Sequence, residues 1–224
     1  MPPSLTPRPL TNPLEIQRRL GLLHEPHISK LTQLVEQIRK AEQNFSVPWF
    51  DPMGGGVNAK VLLLLQDPSD TAQNGTGFIS PDNPYPTAYN TTNFRDKADL
   101  IPQELIHWNI IPWKMERGFG IELNRASSYL CKLLHLLPNL KIIVCMGKNS
   151  EKGWNQIKPD NPCKKGWIRI NNDELNCRNL IVLSCPHPSN QGIGGANGNR
   201  IVDGRTPSQR IIDTLKNVRF YLDN

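Results

Sequence analysis

Three polar side chains stand at or near the ends of short apolar runs in the sequence. Asp67 follows the run at residues 61–65, Asn109 lies within a second run, and His187 follows a third. A carboxylate can stabilise a positive charge, a carboxamide offers both a donor and an acceptor, and an imidazole exchanges protons near neutral pH. Brought together, these three groups suit acid–base chemistry combined with recognition of a polar ligand.

Four apolar runs predict the strands that would position these groups. The runs cover residues 61–65, 106–111, 141–146 and 180–184. They are too short to span a membrane and too apolar for exposed strands, which is typical of strands buried on both faces of a sheet. Pro68 cannot donate to a sheet ladder, so the first strand ends at Asp67. Because open α/β sheets place ligands at the carboxyl ends of their strands, we expect the polar groups to converge there.

Segments of helical periodicity alternate with these runs. They cover residues 26–41, 87–97 and 123–137, and a final helix begins at Thr206-Pro207. Thr87 is placed as an N-cap, and Pro207 at the first position of its helix. The alternation of strands with helices predicts a three-layer α/β/α sandwich around a central, mostly parallel four-stranded sheet.

The remaining segments set the domain boundaries. Residues 1–13 carry five prolines and are expected to form a flexible arm, whereas residues 14–224 are expected to form a single domain. Residues 155–179 are polar and basic and receive no assignment. Gly54-Gly55-Gly56 precede the first strand and match no nucleotide-binding motif, so we exclude a nucleotide site there and expect these glycines to lie close to a neighbouring backbone.

The composition indicates an acidic partner and a reducing compartment. The net charge of +6 and the isoelectric point near 9.1 favour a polyanion. The five cysteines include no CxxC pair, which argues against a disulfide framework, a zinc finger and an iron–sulfur site. Cys145 and Cys185 lie in apolar runs and are expected in the core. With no signal peptide and no apolar run of transmembrane length, we expect a soluble, cytoplasmic monomer.

Five segments around these residues resemble, in chain order, motifs of the uracil-DNA glycosylase superfamily. Gln66-Asp67-Pro68 resembles the opening of the family motif Gln-Asp-Pro-Tyr-His, and Trp108-Asn109-Ile110 resembles the strand that supplies a base-recognising asparagine. The others are Gly77-Phe78-Ile79-Ser80, similar to the segment with the stacking aromatic, residues 81–86, similar to the proline-rich loop that grips DNA, and His187-Pro188-Ser189, similar to the His-Pro-Ser loop.

The resemblance implies a monofunctional DNA glycosylase that flips uracil out of DNA, hydrolyses its N-glycosidic bond and leaves an abasic site. Asp67 would stabilise the oxocarbenium-like sugar and orient the attacking water, while His187 would hydrogen-bond O2 of the uracil. Phe78 would stack on the flipped base, and Asn109 would donate to O4 and accept from N3–H. The reaction requires no metal or cofactor.

The resemblance also implies which side chains contact the substrate, a single- or double-stranded DNA that contains uracil. Gln66 joins Phe78 and Asn109 in the substrate-binding set. The residues expected to contact DNA are Ser69, Pro84, Lys148, Ser189, Gln191 and Ile193.

Four positions bear on departures from the family pattern. Ser69 stands where the motif has a Tyr that blocks the methyl group of thymine, and Asp70 stands where it has His. Gln191 takes the place of a Leu that wedges into the minor groove, and Ile193 is the substitute we expect. The pocket is then roomier, or another residue closes it. Two alternatives stay open: a glycosylase for hypoxanthine or a 5-substituted uracil, and a non-catalytic sensor of flipped or modified bases.

The key residues also have purely structural interpretations. A carboxylate such as Asp67 often completes a turn after a strand, and Asn109 can satisfy buried loop backbone. His187 lies between two prolines, where turn geometry alone can account for it. Phe78 can be a core residue. The positions of these side chains relative to one another decide between the interpretations.

Overall fold

Four parallel strands form the central sheet of the protein. The computed structural model describes residues 8–43, 45–157, 167–169, 177–194 and 201–224. The strands are β1 (Trp49–Phe50), β2 (Val61–Leu65), β3 (Phe78–Ile79), β4 (Leu105–Asn109), β5 (Ile142–Met146), β6 (Trp167–Arg169), β7 (Cys177–Asn179) and β8 (Ile181–Cys185). The central sheet has the spatial order β4-β2-β5-β8, and each of its pairings is parallel. The predicted four-stranded parallel sheet is confirmed.

Helices cover both faces of this sheet. Within the described residues they are α1 (Pro13–Gly21), α2 (Ser29–Ala41), α3 (Pro86–Asp96), α4 (Phe119–His135), α5 (Lys148–Ile157), α6 (Asn190–Ile193) and α7 (Pro207–Asp223). Side chains alternate along β2, so Leu62 and Leu64 pack with α2 and α4, whereas Val61 and Leu63 pack with α3 and α7. The result is the predicted three-layer α/β/α sandwich.

The two predicted helix caps have different outcomes. Thr206 caps α7, because its side chain accepts from the Gln209 N–H while the Gln209 side chain accepts from the Thr206 N–H. The prediction for Thr87 is wrong, since Tyr85 holds the N-cap position and Pro86 begins α3. Proline suits the first helical position because its missing N–H would have no partner there.

The N-terminal segment is more ordered than the sequence predicts. A 3₁₀ turn at Pro9–Thr11 leads into α1, and Leu10 is only 2% exposed because it packs in a cluster with Phe78. The prediction of a flexible arm is therefore wrong for residues 9–13, whereas residues 1–7 lie outside the described chain.

A buried guanidinium ties α1 to two loops of the domain. Arg19 is 2% exposed and forms ion pairs with Glu15 at 2.8 Å, with Asp51 at 2.6 Å and with Asp82 at 2.6 Å. Asp51 follows β1, and Asp82 lies in the loop between β3 and α3. Because a buried charge needs its partners, these pairs fix the loop after β3 in place.

The glycines ahead of β2 approach neighbouring backbone, as predicted. A Cβ at Gly55 would lie 2.3 Å from the carbonyl oxygen of Gln103, and a Cβ at Gly56, which has a φ of +54°, would lie 2.0 Å from that of His27. Only residues without a side chain fit at these two positions, which bring the segment before β2 against the residues that precede β4 and α2.

Two cysteines were predicted to lie in the core, and residues 155–179 had no predicted assignment. Cys145 and Cys185 are buried, as predicted, and burial raises the pKa of each thiol to about 12. Of the unassigned residues 155–179, residues 158–166 and 170–176 lie outside the described chain, and β6 pairs with β7 in antiparallel fashion. Among the described residues, no helix combines the length and the apolar character that crossing a membrane requires.

Candidate active site

A cleft of about 500 Å³ opens at the carboxyl ends of the central strands. Asp67 lines it just after β2, Asn109 at the last residue of β4, and His187 just after β8. Since β2 lies between β4 and the β5–β8 pair, the carboxylate stands between the amide and the imidazole along this edge of the sheet. The structure thus brings the three predicted groups into one cleft.

The carboxylate of Asp67 accepts from two donors. Gln66 Nε2 donates to Oδ1 at 2.8 Å, and the backbone N–H of Met115 donates to Oδ2 at 3.3 Å. Burial raises the pKa of Asp67 above its ordinary value, although these hydrogen bonds and the charge of Lys114 act in the opposite direction. The Met115 bond joins distant parts of the chain, so Asp67 does more than complete the turn after β2.

A chain of amides orients this carboxylate. Asn149, in the first turn of α5, donates from Nδ2 to Gln66 Oε1, and Gln66 donates in turn to Asp67. Because an ionised carboxylate only accepts, Gln66 must turn its NH₂ group toward Asp67 and its oxygen toward Asn149. Gln66 lines the cleft, but its side chain positions Asp67 and keeps one N–H for a ligand.

The imidazole of His187 is fixed in one tautomer. Its Nδ1 accepts from the backbone N–H of Ser189 at 3.1 Å, so the proton of the neutral ring resides on Nε2. Burial lowers the pKa of His187 below its ordinary value, which keeps the ring neutral at physiological pH. The cleft therefore contains an uncharged N–H donor.

Two glycines allow the backbone to close around His187. Gly147, at the end of β5, has a φ of +101°, and a Cβ there would lie 3.0 Å from the His187 Cβ. A Cβ at Gly192 would lie 2.1 Å from the His187 carbonyl oxygen. A side chain at either position would displace the imidazole. The two glycines therefore permit the turn and also determine the position of the ring.

Asn109 presents an unused amide to the cleft. The residue is 3% exposed, and its side chain forms no hydrogen bond with any residue that the structure describes. β4 is held in place because Trp108 stacks on Phe50 with 3.9 Å between ring centroids. An amide that satisfied loop backbone would be hydrogen-bonded, so the geometry favours a ligand-binding amide at Asn109 over the structural interpretation.

Phe78 does not contact the cleft, and its prediction as the stacking residue is wrong. Its side chain is 0% exposed and packs in a cluster with Leu10 and Leu23. Successive side chains of a strand point to opposite faces, so the next residue of β3, Ile79, lines the cleft instead. The strand named by the resemblance therefore reaches the cleft through Ile79 and not through Phe78.

The predicted DNA-contacting residues divide into three groups. Ser69, Ser189 and Gln191 line the cleft. Pro84 and Lys148 are exposed but do not line the cleft, so their contact with DNA stays a prediction. Ile193 is partly buried against the core cluster formed with α7, whereas Gln191 is exposed, and the wedge role of Ile193 stays a prediction.

Asp70 does not place an unpaired acid beside the cleft. Its carboxylate forms an ion pair at 2.5 Å with Lys114, whose backbone N–H donates to the Gln73 side chain at 2.8 Å. These contacts join the loop after β2 to the residues that follow β4. The departure from the family motif at position 70 therefore has a local structural role.

The cleft also contains side chains that sequence reasoning did not assign to it. They include Ile79, Tyr85, Thr87, Thr91 and His107. Strand alternation carries a signal for His107, because it lies two residues before Asn109 and shares its side of β4. His107 Nε2 is buried without a hydrogen-bond partner among the described residues, and burial lowers the pKa of the ring to about 4.

The comparisons with known proteins assign no chemistry to the cleft. No protein-family model matches the chain, and no curated protein matches it.

Proposed function

We propose that the protein is a monofunctional DNA glycosylase that removes uracil from DNA and leaves an abasic site. The observation that carries this proposal is the convergence of Asp67, Asn109 and His187 in one cleft at the edge of the sheet. The resemblance of the surrounding segments to motifs of the uracil-DNA glycosylase superfamily supports the same reaction. A cleft of about 500 Å³ suits one nucleotide and not a double helix, so the base must leave the stack to enter it.

Base recognition falls to Asn109. Its carboxamide donates to O4 of uracil and accepts from N3–H, whereas cytosine offers a donor at position 4 and an acceptor at N3. A site built for one hydrogen-bonding pattern rejects the reversed pattern strongly because buried polar groups are left unpaired. Ile79, which lines the cleft, supplies apolar surface for the ring in place of Phe78.

Bond cleavage leaves its electron pair on the base. As the C1′–N1 bond breaks, negative charge gathers on O2, where the Nε2–H of His187 donates, and positive charge develops on the sugar. Asp67 stabilises that cation, and water then forms the new bond to C1′ while its proton passes to the Asp67 carboxylate. A neutral imidazole suits this role, because its N–H stays on the ring and stabilises the uracil anion.

Association with DNA follows from charge. The net charge of +6 favours binding to the phosphate backbone. At the rim of the cleft, Ser189 and Gln191 follow His187, and Ser69 follows Asp67. Exposed Lys148 begins α5, next to Asn149 of the amide chain. These positions are suited to contact the strand on either side of a flipped nucleotide.

An excision assay tests the proposal. The protein is incubated with single- and double-stranded oligonucleotides that contain one uracil, and abasic sites are cleaved with alkali. We expect strand breaks that depend on both uracil and alkali. His187→Ala removes one transition-state donor, so its excision rate should fall about 10²–10³-fold. Asp67→Asn should lower the rate strongly, and Asn109→Ala should weaken uracil binding and the preference over cytosine.

Matched variants separate site effects from general damage. Asp70→Asn changes a carboxylate three positions from Asp67 that pairs with Lys114, and His135→Ala changes an exposed imidazole on α4. Both should retain excision. Absence of cleavage on every uracil substrate would overturn the glycosylase proposal, and DNA binding without excision would instead support a non-catalytic base sensor. Breaks without alkali would contradict a monofunctional mechanism.

A further inference from the structure

One edge of the bound base faces a definite part of the cleft. When O2 of a pyrimidine faces His187 and N3 and O4 face Asn109, the remaining edge is C5–C6, on the side away from His187. The loop that begins at Ser69 lies on that side, because the Gln73 side chain accepts from the backbone N–H of Lys114, beyond β4. The wall that includes Ser69 therefore lies beside position 5 of the ring.

Ser69 is too small to fill this wall, and Tyr85 lies against it. Both residues line the cleft. The hydroxyl of Tyr85 lies close to the side chains of Ser69 and Asn83, and burial raises its pKa. In the family motif a Tyr at the position of Ser69 would reach this space. Here the ring of Tyr85, which holds the N-cap position of α3, lines the cleft together with Ser69.

The backbone that carries the Tyr85 ring is constrained on both sides. Its backbone lies between Pro84 and Pro86 with a φ of −143°, and its N–H donates to the Asn83 carbonyl oxygen at 3.0 Å. Asn83 is fully buried and donates from Nδ2 to the carbonyl oxygen of Phe78 at 2.8 Å. The two flanking prolines and the buried Asn83 constrain the backbone that carries the ring, which restricts its movement away from a larger base.

We propose that Tyr85 is the specificity-determining residue of this cleft: its ring closes the space beside position 5 of a bound pyrimidine and excludes bases that carry a methyl-sized group there. This inference rests on the proposed uracil glycosylase function and narrows its substrates to pyrimidines unsubstituted at position 5. It replaces the expectation of a roomier pocket, and it disfavours a glycosylase for 5-substituted uracils.

The experiment compares excision from matched duplexes that contain uracil, thymine or 5-bromouracil opposite guanine. A pocket distinguishes ligands that differ by one methyl group by about 10- to 200-fold, and we expect the wild-type protein to prefer uracil by at least this ratio. Tyr85→Ala should lower the uracil-to-thymine ratio about 10-fold or more. Tyr85→Phe keeps the ring and should keep the ratio. Tyr89→Ala removes the next tyrosine of α3, whose ring lies under the Arg8 guanidinium, and should also keep it.

5-Bromouracil separates shape from reactivity. Bromine is similar in size to a methyl group but makes the base a better leaving group, so a steric wall excludes both bases, whereas a purely chemical preference would favour 5-bromouracil over thymine. Equal losses on uracil and thymine in Tyr85→Ala would show that the ring serves general binding and would overturn the proposal. A wild-type protein that removes thymine as readily as uracil would overturn it too.

Binding measurements distinguish failure of this inference from failure of the proposed function. Duplexes with 2′-fluoro nucleotides resist hydrolysis, and their dissociation constants are measured for uracil and thymine. Suppose that the wild-type protein binds uracil more tightly than thymine, that Tyr85→Ala loses this preference, and that no uracil is excised. This result would support the wall and overturn the glycosylase activity. If uracil is excised but Tyr85→Ala changes neither the excision ratio nor the binding ratio of uracil to thymine, the glycosylase activity is supported and the wall is overturned. Absence of both excision and base discrimination would overturn both.

Discussion

The protonation states of two side chains determine whether the cleft can act. Asp67 must carry its charge to stabilise a sugar cation, yet burial raises its pKa above the ordinary value. His187 must donate an N–H without carrying a charge, and burial lowers its pKa. Desolvation disfavours the charged form of both groups, so it opposes the state that Asp67 needs and supports the state that His187 needs.

The pH dependence of excision should therefore have one acid limb. As pH rises, the ionised fraction of Asp67 and the neutral fraction of His187 both grow, so the single-turnover rate should increase to a plateau. The midpoint should lie above the ordinary carboxyl pKa of about 3.9. Single-turnover rates measure the profile, and nitrogen NMR of the imidazole should find the proton on Nε2 at neutral pH. A protonated His187 at the plateau would contradict the assignment.

His107 should make the stability of the fold depend on pH. Its pKa is lowered to about 4 from 6.5, so the unfolded chain binds the proton more tightly than the folded one. The stability associated with the neutral ring is present above pH 6.5 and is lost as pH falls toward 4. Linkage predicts a loss on the order of 2 kcal/mol between about pH 7 and pH 5.

Urea denaturation at the two pH values checks this expectation for His107. His107→Gln should lose less unfolding free energy between them than the wild-type protein. His135→Gln, which changes an exposed imidazole, should behave like the wild type. Equal pH dependence in His107→Gln and the wild type would show that His107 titrates normally.

At the scale of elements, the two residues of the short strand β3 face different parts of the protein: Phe78 packs in a core cluster, and Ile79 lines the cleft. Phe78→Ala should destabilise the protein by about 3–5 kcal/mol, because it leaves a cavity beneath α1. Ile79→Ala should instead raise KM about 10-fold, because it removes apolar surface that faces the base. Urea denaturation and excision kinetics well below the unfolding temperature separate the two effects. A selective rise of KM in Phe78→Ala would restore Phe78 as a substrate contact.

The strand-to-helix turn at Gly147 holds the imidazole in place. Gly147→Ala introduces a Cβ about 3.0 Å from the His187 Cβ at a φ of +101°, so it should displace the ring and cost about 1–3 kcal/mol of backbone strain. We expect kcat to fall at least about 10-fold, since misalignment weakens a transition-state donor. Gly118→Ala is the matched control, because a Cβ at that glycine meets no atom within 4 Å. Unchanged kcat in Gly147→Ala would argue against the role of His187.

Sequence periodicity and proline placement were sufficient to predict the central sheet and part of the candidate site. The apolar run of β2 and its termination before Pro68 predicted where Asp67 lies, and the parallel topology then predicted its neighbours Asn109 and His187. The face on which Phe78 lies could not be predicted, because a two-residue strand has no alternation to count. Tyr85 was missed because its role depends on a contact with Ser69 that no local pattern encodes.

At the scale of the whole molecule, net charge and the cleft would have separate roles in the proposed binding of DNA. Phosphate contacts supply affinity that weakens with salt, whereas contacts inside the cleft supply preference for one base. A surface with a net charge of +6 should therefore bind undamaged DNA at low salt and release it as salt increases.

Salt dependence offers a test of the predicted phosphate contact of Lys148. Lys148→Gln should weaken binding to all DNA sequences and reduce the slope of log K against log salt by about 1. Lys132→Gln is the control, because that side chain lies on α4 near the ring of Tyr129, in the layer that packs on Leu62 and Leu64. Fluorescence anisotropy at several salt concentrations measures both. An unchanged slope in Lys148→Gln would remove this residue from the DNA interface.

The order of strands in the sheet also determines when the cleft first exists during synthesis. β2 pairs with β4 and β5, which follow it by about 40 and 80 residues, and in the described part of the chain β8 joins the sheet through β5. Such pairings form slowly, because each requires closure of a long loop before its contacts can form. His187 follows β8, so the imidazole is the last of the three groups to arrive. A nascent chain on the ribosome, with Asp67 and Asn109 already emerged, therefore has no complete cleft, and the proposed activity would begin only after the C-terminal third has docked.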